Sequence, residues 1–270
     1  MAPPIITFIS DYGLADDFVG VCHAVIAGIC PQAKVIDLTH GLARHDIRAG
    51  ALILRGTLPY LPVGVHLAVV DPDVGGQRRA VALRLADDRL LVGPDNGLLS
   101  LAAQAAGGVV GAVDIARSRF RLEPVSATFH GRDIFAPVAA QLANGVKLAD
   151  AGEPVDPAAL VTLELPRARL REGVLVAHAA YVDRFGNVQL NVGHEDLAGT
   201  NIKLGHGVVL QVGSGSTYHA TFALTFADVA PQELLLYEDS YRRLALAVSH
   251  GDAGRRLGLA VDDKVWIQPE

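Results

Sequence analysis

The first half of the chain alternates short apolar runs with longer stretches of helical periodicity, and this alternation restricts the fold more than any other feature. Residues 5–10, 35–38 and 66–70 are apolar runs typical of buried strands, whereas residues 18–29 and 46–58 carry apolar side chains at helical spacing. Strands that alternate with helices in this rhythm form βαβ units around a largely parallel sheet. The N-terminal half is therefore predicted to be an α/β domain.

The pattern changes around residues 153–172, where prolines and charges are typical of a domain boundary. Short alternating runs broken by glycine follow, and they favour a small antiparallel barrel or sandwich. We predict an α/β domain at residues 1–165, a linker at 166–172 and a β domain at 173–270.

Composition excludes several classes of protein. Of the 270 residues, 50% are hydrophobic and 19% are charged, which argues against disorder. The 29 acidic residues outnumber the 23 basic ones and give a net charge of −6, so a nucleic-acid partner is not expected. Lysines are few and no apolar run reaches the roughly 18 residues of a membrane span, so no membrane partner is expected either.

The cysteines and the N-terminus suggest a reducing compartment. Cys22 and Cys30 lie in one apolar segment and are too few for a disulfide framework or a zinc knuckle. The first residues have no basic region before their apolar stretch and do not resemble a signal peptide. The expected location is the cytoplasm.

The segment SDYGLADDF places Asp11, Asp16 and Asp17 between the first predicted strand and the first predicted helix. Carboxylates so close together need partners if they are buried. One interpretation is that one of them caps the helix. The others are that they bind a ribose diol or an ammonium group, or that they hold a divalent metal ion. The ten histidines are scattered rather than paired at ligand spacing, which gives a metal site no support.

Two further segments combine charged and titratable side chains. VVDPDVGGQRRAVA sets Asp71 and Arg78 on either side of a glycine-containing turn. They form either a surface ion pair of little energetic value or an acid and a guanidinium held together at the end of a strand. ATFHGRDIFAP sets His130 directly before a predicted helix start, where the histidine is either structural or functional.

In the second half, YVDRFGNVQLN is either a plain strand–turn–strand or a site in which the Asn187 amide reads an adenine edge beside an aromatic ring. The GSGS segment at 213–216 is predicted to be a hairpin turn without chemistry. The sequence contains no Walker loop, no GxGxxG after the first strand, no HExxH and no GxSxG. The residues alone therefore indicate an acid-rich α/β protein with a candidate nucleoside site.

Six segments, in their order and spacing, resemble one family over nearly the whole chain: SDYGLADDFVG, DPDVGGQRR, GPDNGLL, TFHGRDIFAP, DRFGNVQLN and TFAD. The family is that of the adenosine-forming S-adenosyl-L-methionine hydrolases, or SAM hydroxide adenosyltransferases, which are related to fluorinating and chlorinating enzymes. The resemblance implies an N-terminal α/β domain, a C-terminal antiparallel β-barrel and a homotrimer. Its active sites would lie between the N-terminal domain of one subunit and the C-terminal domain of its neighbour.

The implied reaction is attack of water or hydroxide at ribose C5′, which releases L-methionine and adenosine without a metal or a cofactor. The resemblance assigns Asp71, Arg78 and His130 as the catalytic residues. A sulfonium leaving group is already cationic and needs no general acid. Arg78 would stabilise hydroxide, Asp71 would fix Arg78 and the water, and His130 would accept the proton.

The resemblance also assigns the residues that bind the substrate. They are Asp11 for the ribose hydroxyls, Asp16 and Asp183 for the methionine ammonium, Ser240 for the methionine carboxylate, Asn187 for adenine, Phe185 and Phe226 for the apolar walls, and His45 for the ribose pocket.

The sequence departs from the family pattern at Asp73, where glycine is usual, and along residues 239–252. An extra carboxylate near Asp71 could repel hydroxide, and the second change bears on contacts to methionine and adenine. The alternatives are a halide-dependent C5′ halogenase, a non-catalytic sensor of S-adenosyl-L-methionine or adenosine, and a metal-dependent phosphohydrolase. Against the halogenase, those enzymes lack the acid–arginine–histidine set, and Asp71 would repel a halide.

Overall fold

The structure is a computed structural model that describes residues 2–213 and 215–270 and contains two compact units. One unit extends to Leu163, and the other spans Glu164–Glu270. The predicted GSGS turn includes Ser214, which lies outside the described residues. Both cysteines are buried free thiols.

The N-terminal unit is built around one mixed sheet with the strand order β2-β1-β3-β5-β4-β6-β7. The pairings β2–β1, β1–β3 and β3–β5 are parallel, whereas β4, β6 and β7 form an antiparallel extension at one edge. The predicted α/β fold is thereby confirmed. The elements are β1 (Ile5–Ser10), α1 (Phe18–Ile29), β2 (Lys34–Thr39), α2 (Ile47–Thr57), β3 (Val65–Val69), β4 (Ala80–Leu85), β5 (Leu90–Pro94), α3 (Ser100–Ala105), β6 (Val109–Asp114), α4 (Ala136–Ala143), α5 (Leu148–Ala151) and β7 (Glu153–Pro154).

Helices cover the central strands, which explains why β1 and β3 are almost continuously apolar. The core joins Ile6 and Phe8 of β1 to Cys22 and Ile26 of α1 and to Val138 of α4, and each of these five side chains is buried. Helix α1 packs against α4, and α2 packs against α3. This packing fixes the carboxyl ends of β1 and β3, where the chain turns into the polar loops that carry Asp11 and Asp71.

The C-terminal unit contains a barrel that closes because β9 pairs with both β10 and β15. Among the described residues, seven strands form the ring in the order β9-β10-β14-β13-β12-β11-β15, and β8 pairs with β9 outside it. The predicted barrel is confirmed. The elements are β8 (Arg169–Arg171), β9 (Val174–Val182), β10 (Val188–Gly193), β11 (Gly207–Val212), β12 (Ser216–Phe222), β13 (Leu234–Glu238), β14 (Arg243–Val248), α6 (Ala253–Leu257) and β15 (Lys264–Pro269).

Two details of this unit differ from a simple antiparallel meander. Strands β12 and β13 pair in parallel, with Thr221 opposite Leu235, because residues 223–233 form a long connection instead of a hairpin. Strand β8 lies within residues 166–172, the segment expected to be a linker. Within the described part of the chain, no helix is long and apolar enough to cross a membrane.

His66 on β3 is expected to make the protein less stable in mild acid. Its side chain is fully buried and its Nδ1 lies 2.9 Å from Thr7 Oγ1. Burial, reinforced by the Arg89 charge, lowers the pKa of His66 to about 4. In the unfolded chain His66 is protonated below about pH 6.5, whereas in the folded chain it is protonated only below about pH 4. Stability is therefore lost as the pH falls from 6.5 towards 4.

Because of His66, the free energy of unfolding should be about 2 kcal/mol lower at pH 5 than at pH 7. Urea denaturation at both pH values measures this difference. His66→Gln should remove most of that pH dependence, whereas the exposed control His206→Gln should retain it. Equal pH dependence in the two variants would contradict the assignment.

Candidate active site

The catalytic candidates of the N-terminal unit lie at the carboxyl edge of the parallel strands. Ser10, the last residue of β1, is opposite Val69, the last residue of β3. Asp11 and Asp71 follow these residues and are therefore brought to the same edge, where ligands bind in open α/β sheets. Proximity of the two acids is a direct consequence of the parallel register.

Asp71, Arg78 and His130 form one hydrogen-bonded group. Arg78 Nε donates to Asp71 Oδ1 at 2.8 Å and Arg78 Nη2 donates to Asp71 Oδ2, so the ion pair is bidentate. The same Nη2 also donates to His130 Nδ1 at 2.8 Å. The Asp71 and Arg78 side chains are only 5% and 7% exposed. The reading of this pair as a surface ion pair is therefore wrong, and the acid and the guanidinium are held together at the strand end.

This contact determines the chemical state of His130. An arginine can only donate, so Nδ1 of the imidazole accepts, and in the neutral ring the proton is on Nε2. Partial burial, followed by the positive charge of Arg78, lowers the pKa of His130, and the charges of Asp71 and Asp133 only partly oppose this. The imidazole is therefore neutral at pH 7 and presents an Nε2–H donor.

Local packing holds the arginine and the histidine in place. The Arg78 guanidinium carbon lies 5.3 Å from the centre of the Phe135 ring. His130 directly precedes a π-helical turn, Gly131–Phe135, that leads into α4. A Cβ atom at Gly131 would lie 2.1 Å from the Tyr12 hydroxyl oxygen, so glycine allows the Tyr12 ring to approach.

Tyr12 is a functional candidate that sequence reasoning missed. Burial, with the nearby Cys22, Asp71 and Asp11, raises the pKa of its phenol well above the ordinary value, so it stays a neutral hydrogen-bonding group. Its ring makes edge contacts with Phe8 and Phe129. The available signal was its position directly after Asp11 at the end of a buried strand.

A cavity of about 540 Å³ opens beside this group, and Asp11, Asp16, His45, Asp71 and His130 all line it. The backbone N–H of His45 donates to Asp11 Oδ2 at 2.9 Å, which orients the carboxylate. Sequence reasoning thus selected residues that the fold does bring together.

Asp17 and Asp73 lie near the candidate site in sequence but are not among the residues that line the cavity. Asp17 occupies the N-cap position of α1, but its side chain accepts no capping hydrogen bond, so the capping interpretation is wrong for this residue. Asp73 is exposed and is not among the residues that line the cavity. Its backbone carbonyl accepts the N–H of Gly76 at 2.9 Å, which closes the turn before Arg78.

The substrate-binding candidates of the C-terminal unit line a second cavity, of about 870 Å³. Its walls include every residue predicted in this half of the chain: Asp183, Phe185, Asn187, Phe226 and Ser240. Phe185 and Phe226 are 71% and 43% exposed, as expected of apolar surface available to a ligand.

The DRFGN segment is a tight turn built around the Asp183 carboxylate. Asp183 Oδ1 accepts the backbone N–H groups of Phe185 and Asn187, at 2.8 and 2.9 Å. Asp183 Oδ2 accepts the Asn187 side-chain amide at 2.8 Å. The strand–turn–strand interpretation is correct for the backbone, and the same turn points the amide of Asn187 into a fixed position.

Other wall residues of this cavity escaped sequence reasoning. The Tyr237 ring lies 5.0 Å from Phe226, and burial raises the pKa of its phenol to about 12. Gln189 Nε2 donates to Asp239 Oδ2 at 2.6 Å. Both Gln189 and Tyr237 lie within strands, where periodicity shows which face a side chain is on but not which faces surround a cavity.

The histidines are less scattered in space than along the chain. His23, Asp37 and His40 offer ligand atoms that all lie within 4.8 Å of one another, and they are the one such group among the described residues. Spacing along the sequence does not reveal this group, because His23 lies in α1 and His40 follows β2, 17 positions later.

Fold and site together define a two-domain protein with a neutral histidine, a buried arginine–carboxylate pair and a cavity at the edge of an α/β sheet. The family model described as SAM hydroxide adenosyltransferase N-terminal domain matches residues 6–152, and the model of the C-terminal domain matches residues 177–266. The chain belongs to the SAM hydroxide adenosyltransferase family, and the predicted resemblance is confirmed.

Similar proteins agree with this membership. The (R)-S-adenosyl-L-methionine hydrolase of Salinispora tropica is 49% identical over 268 residues, which cover 99% of each chain. A fluorinase from an Actinoplanes species is 26% identical, over 90% of each chain. The crystal structure of an uncharacterized conserved protein from Thermotoga maritima superposes with a TM-score of 0.91 at 35% identity, covering 97% of this chain and 99% of that one.

Removing the arginine should expose the energetic cost of the buried carboxylate. Arg78→Ala leaves Asp71 buried without its partner, and we expect it to lower the free energy of unfolding by about 3–5 kcal/mol. Chemical denaturation measures this. The double variant Asp71→Asn/Arg78→Met removes both charges and should recover much of the loss.

The exposed arginine Arg117 supplies the matched control, because Arg117→Ala should change stability by no more than about 0.5 kcal/mol. A loss in Arg78→Ala as small as this control would show that the ion pair does not stabilise the unit.

Proposed function

We propose that this protein hydrolyses S-adenosyl-L-methionine to adenosine and L-methionine, by attack of an activated water or hydroxide at ribose C5′. The observation that carries the proposal is the buried Asp71–Arg78 pair hydrogen-bonded to a neutral His130 beside an open cavity. Relatives such as that of Salinispora tropica are named as hydrolases of the (R) form of this substrate. The fluorinase relatives are more distant, so the halogenase alternative is not favoured.

The leaving group of this reaction is a sulfonium, so it needs no acid catalyst to depart. The water oxygen forms a bond to C5′, the C5′–S bond breaks, and its electron pair returns to sulfur, giving the neutral thioether of methionine. One proton of the water is released. The protein must orient the nucleophile in line with the C–S bond and favour its hydroxide form, and orientation alone can supply about 7 kcal/mol or more.

Arg78 and His130 are suited to stabilising hydroxide. The guanidinium provides a fixed positive charge and is held by both Asp71 oxygens. The imidazole presents its Nε2–H, because the Arg78 hydrogen bond occupies Nδ1. We therefore propose His130 as a hydrogen-bond donor to the nucleophile. The role predicted from sequence, proton acceptor, would require Nδ1 to be released from Arg78 first.

The other residues would bind the substrate. Asp11, oriented by the His45 N–H, is suited to accept two ribose hydroxyls, since a carboxylate oxygen pair offers several acceptor positions. In the N-terminal cavity Asp16 would face the methionine ammonium. In the C-terminal cavity Asp183 would share that role, Ser240 would face the methionine carboxylate, Asn187 would read adenine, and Phe185 and Phe226 would form the apolar walls.

We further propose a cytoplasmic homotrimer in which the N-terminal domain of one subunit and the C-terminal domain of its neighbour complete each active site. The family resemblance supports this arrangement, as does the division of the predicted site residues between the two units. Catalysis would use no metal, since the residues proposed to act on water are an arginine and a histidine.

Product analysis tests the reaction directly. Purified protein is incubated with each sulfonium epimer of S-adenosyl-L-methionine in chloride-free buffer with EDTA and ¹⁸O-labelled water, and the products are read by mass spectrometry. We expect adenosine and methionine in equal amounts, with ¹⁸O in the adenosine and preference for the (R) epimer. Intact substrate retained on the protein would instead indicate a sensor, and activity restored only by added metal would indicate metal-dependent chemistry.

Variants of His130 distinguish a donor from a proton acceptor. Glutamine keeps an N–H donor and phenylalanine does not, so His130→Gln should retain about tenfold more kcat than His130→Phe, which should lose about 10²–10³-fold. A proton acceptor predicts equal losses. Protonation of Nδ1 would break the hydrogen bond from Arg78, and because the pKa of His130 is lowered, the resulting fall in kcat/KM of the parent is expected only below the ordinary histidine range near pH 6.5.

Subunit complementation tests the shared site. His130→Phe and Asn187→Ala are each expected to be nearly inactive, but co-expressed with different affinity tags they should form mixed trimers. In each mixed trimer about one third of the sites then combine an intact N-terminal domain with an intact C-terminal domain. Mixed oligomers as inactive as the single variants, or a monomer by analytical ultracentrifugation, would contradict the shared site.

A further inference from the structure

Three potential metal ligands converge near the second strand of the N-terminal unit, outside the Asp71–Arg78–His130 group. His23 lies on α1, Asp37 lies on β2, and His40 follows β2. Asp37 Oδ1 is 2.9 Å from His23 Nε2 and 3.0 Å from His40 Nε2. The Nε2 atoms of both imidazoles therefore lie within 3.0 Å of one carboxylate oxygen.

His40 is the buried member of this cluster, and its Nε2 lacks a well-aligned hydrogen-bond partner. Its side chain is 2% exposed, and Nε2 has no hydrogen-bond partner among the described residues, because Asp37 Oδ1 is close but not in line with the ring N–H direction. The other ring nitrogen, Nδ1, lies 2.7 Å from Ser10 Oγ. A buried nitrogen that lies close to a carboxylate oxygen without a hydrogen bond to it is well placed to bind a cation together with that oxygen.

The outer shell of the cluster resembles that of a metal site. Metal-bound histidines usually engage their second ring nitrogen in a hydrogen bond that fixes the ring, as Ser10 does for His40. The ring of His40 is held further by an edge contact with Phe8, with centroids 4.7 Å apart. His40 is therefore the rigid ligand, and it lies on the buried side of the cluster.

The remaining two ligands leave an entrance from solvent. The side chains of His23 and Asp37 are 35% and 41% exposed, so an ion can enter and retain water in its open position. Two imidazole nitrogens and one carboxylate oxygen suit Zn²⁺ and similar divalent transition ions better than Mg²⁺ or Ca²⁺. Zinc bonds of about 2.0–2.2 Å bring neighbouring ligand atoms to within about 4 Å of one another. The ligand atoms of the cluster all lie within 4.8 Å of one another, which is close to this spacing.

We propose that His23, Asp37 and His40 form a binding site for a divalent transition-metal ion of the Zn²⁺ class. The ion completes the pairing of the buried His40 Nε2 and cross-links α1 to the end of β2. His40 also accepts the N–H of Gly13 through its backbone carbonyl, so the ion steadies the loop that carries Asp11. The site is structural, since Asp71, Arg78 and His130 contribute no ligand to it.

Calorimetric titration of untagged, EDTA-stripped protein with Zn²⁺ tests the proposal, with Co²⁺ as a spectroscopic probe of nitrogen ligation. We expect one ion per chain and a higher melting temperature with Zn²⁺ present. His23→Gln should weaken binding by about 10- to 100-fold or more. His23 is the residue to vary, because His40 also lines the cavity of the candidate active site.

The control is His219→Gln, which alters an exposed histidine that contacts a single carboxylate, Glu270, at 2.7 Å. This variant should bind Zn²⁺ as the parent does. A second variant, Asp37→Asn, removes the charge while keeping the side-chain shape, and it should also weaken binding. The proposal is overturned if the parent binds no ion, if His23→Gln and Asp37→Asn bind as tightly as the parent, or if His219→Gln loses binding equally.

Discussion

The buried ion pair between Asp71 and Arg78 is the interaction on which the N-terminal site depends. A carboxylate and a guanidinium that are almost fully removed from water are stable only when their geometry is good, and here the contact is bidentate. The pair fixes Arg78, and Arg78 in turn decides which nitrogen of His130 carries the proton. The contact between Asp71 and Arg78 therefore both neutralises a buried charge and sets the tautomer of His130.

The parallel sheet supplies the position of this pair. Carboxyl ends of neighbouring parallel strands meet at one edge, so Asp11 and Asp71, 60 positions apart in sequence, line one cavity. Burial works in two ways at this edge. It removes Asp71 and Arg78 from water, which strengthens their ion pair, and together with the Arg78 charge it keeps the His130 imidazole neutral.

Two histidines of the same unit show how different surroundings give one residue type different uses. His130 is bound through Nδ1 by a permanent cation and presents an N–H to the cavity. His40 is bound through Nδ1 by the Ser10 hydroxyl, and its Nε2 is close to the carboxylate of Asp37. The first arrangement suits an anion or a hydroxide, and the second suits a cation. Both histidines line the same cavity, so one domain holds the two arrangements side by side.

The sequence alone determined the class of each domain, since burial periodicity follows from which residues are apolar. Its motifs indicated the family and several of the residues that line the two cavities, but not Tyr12, Gln189 or Tyr237. Tertiary structure decided what no local pattern carries. The pairing of Asp71 with Arg78 as a buried contact, the Tyr12 hydroxyl behind Gly131, and the convergence of His23 with His40 depend on strand register and helix packing. Periodicity shows which face a side chain is on, but contacts between elements distant in sequence are set only when their faces pack together.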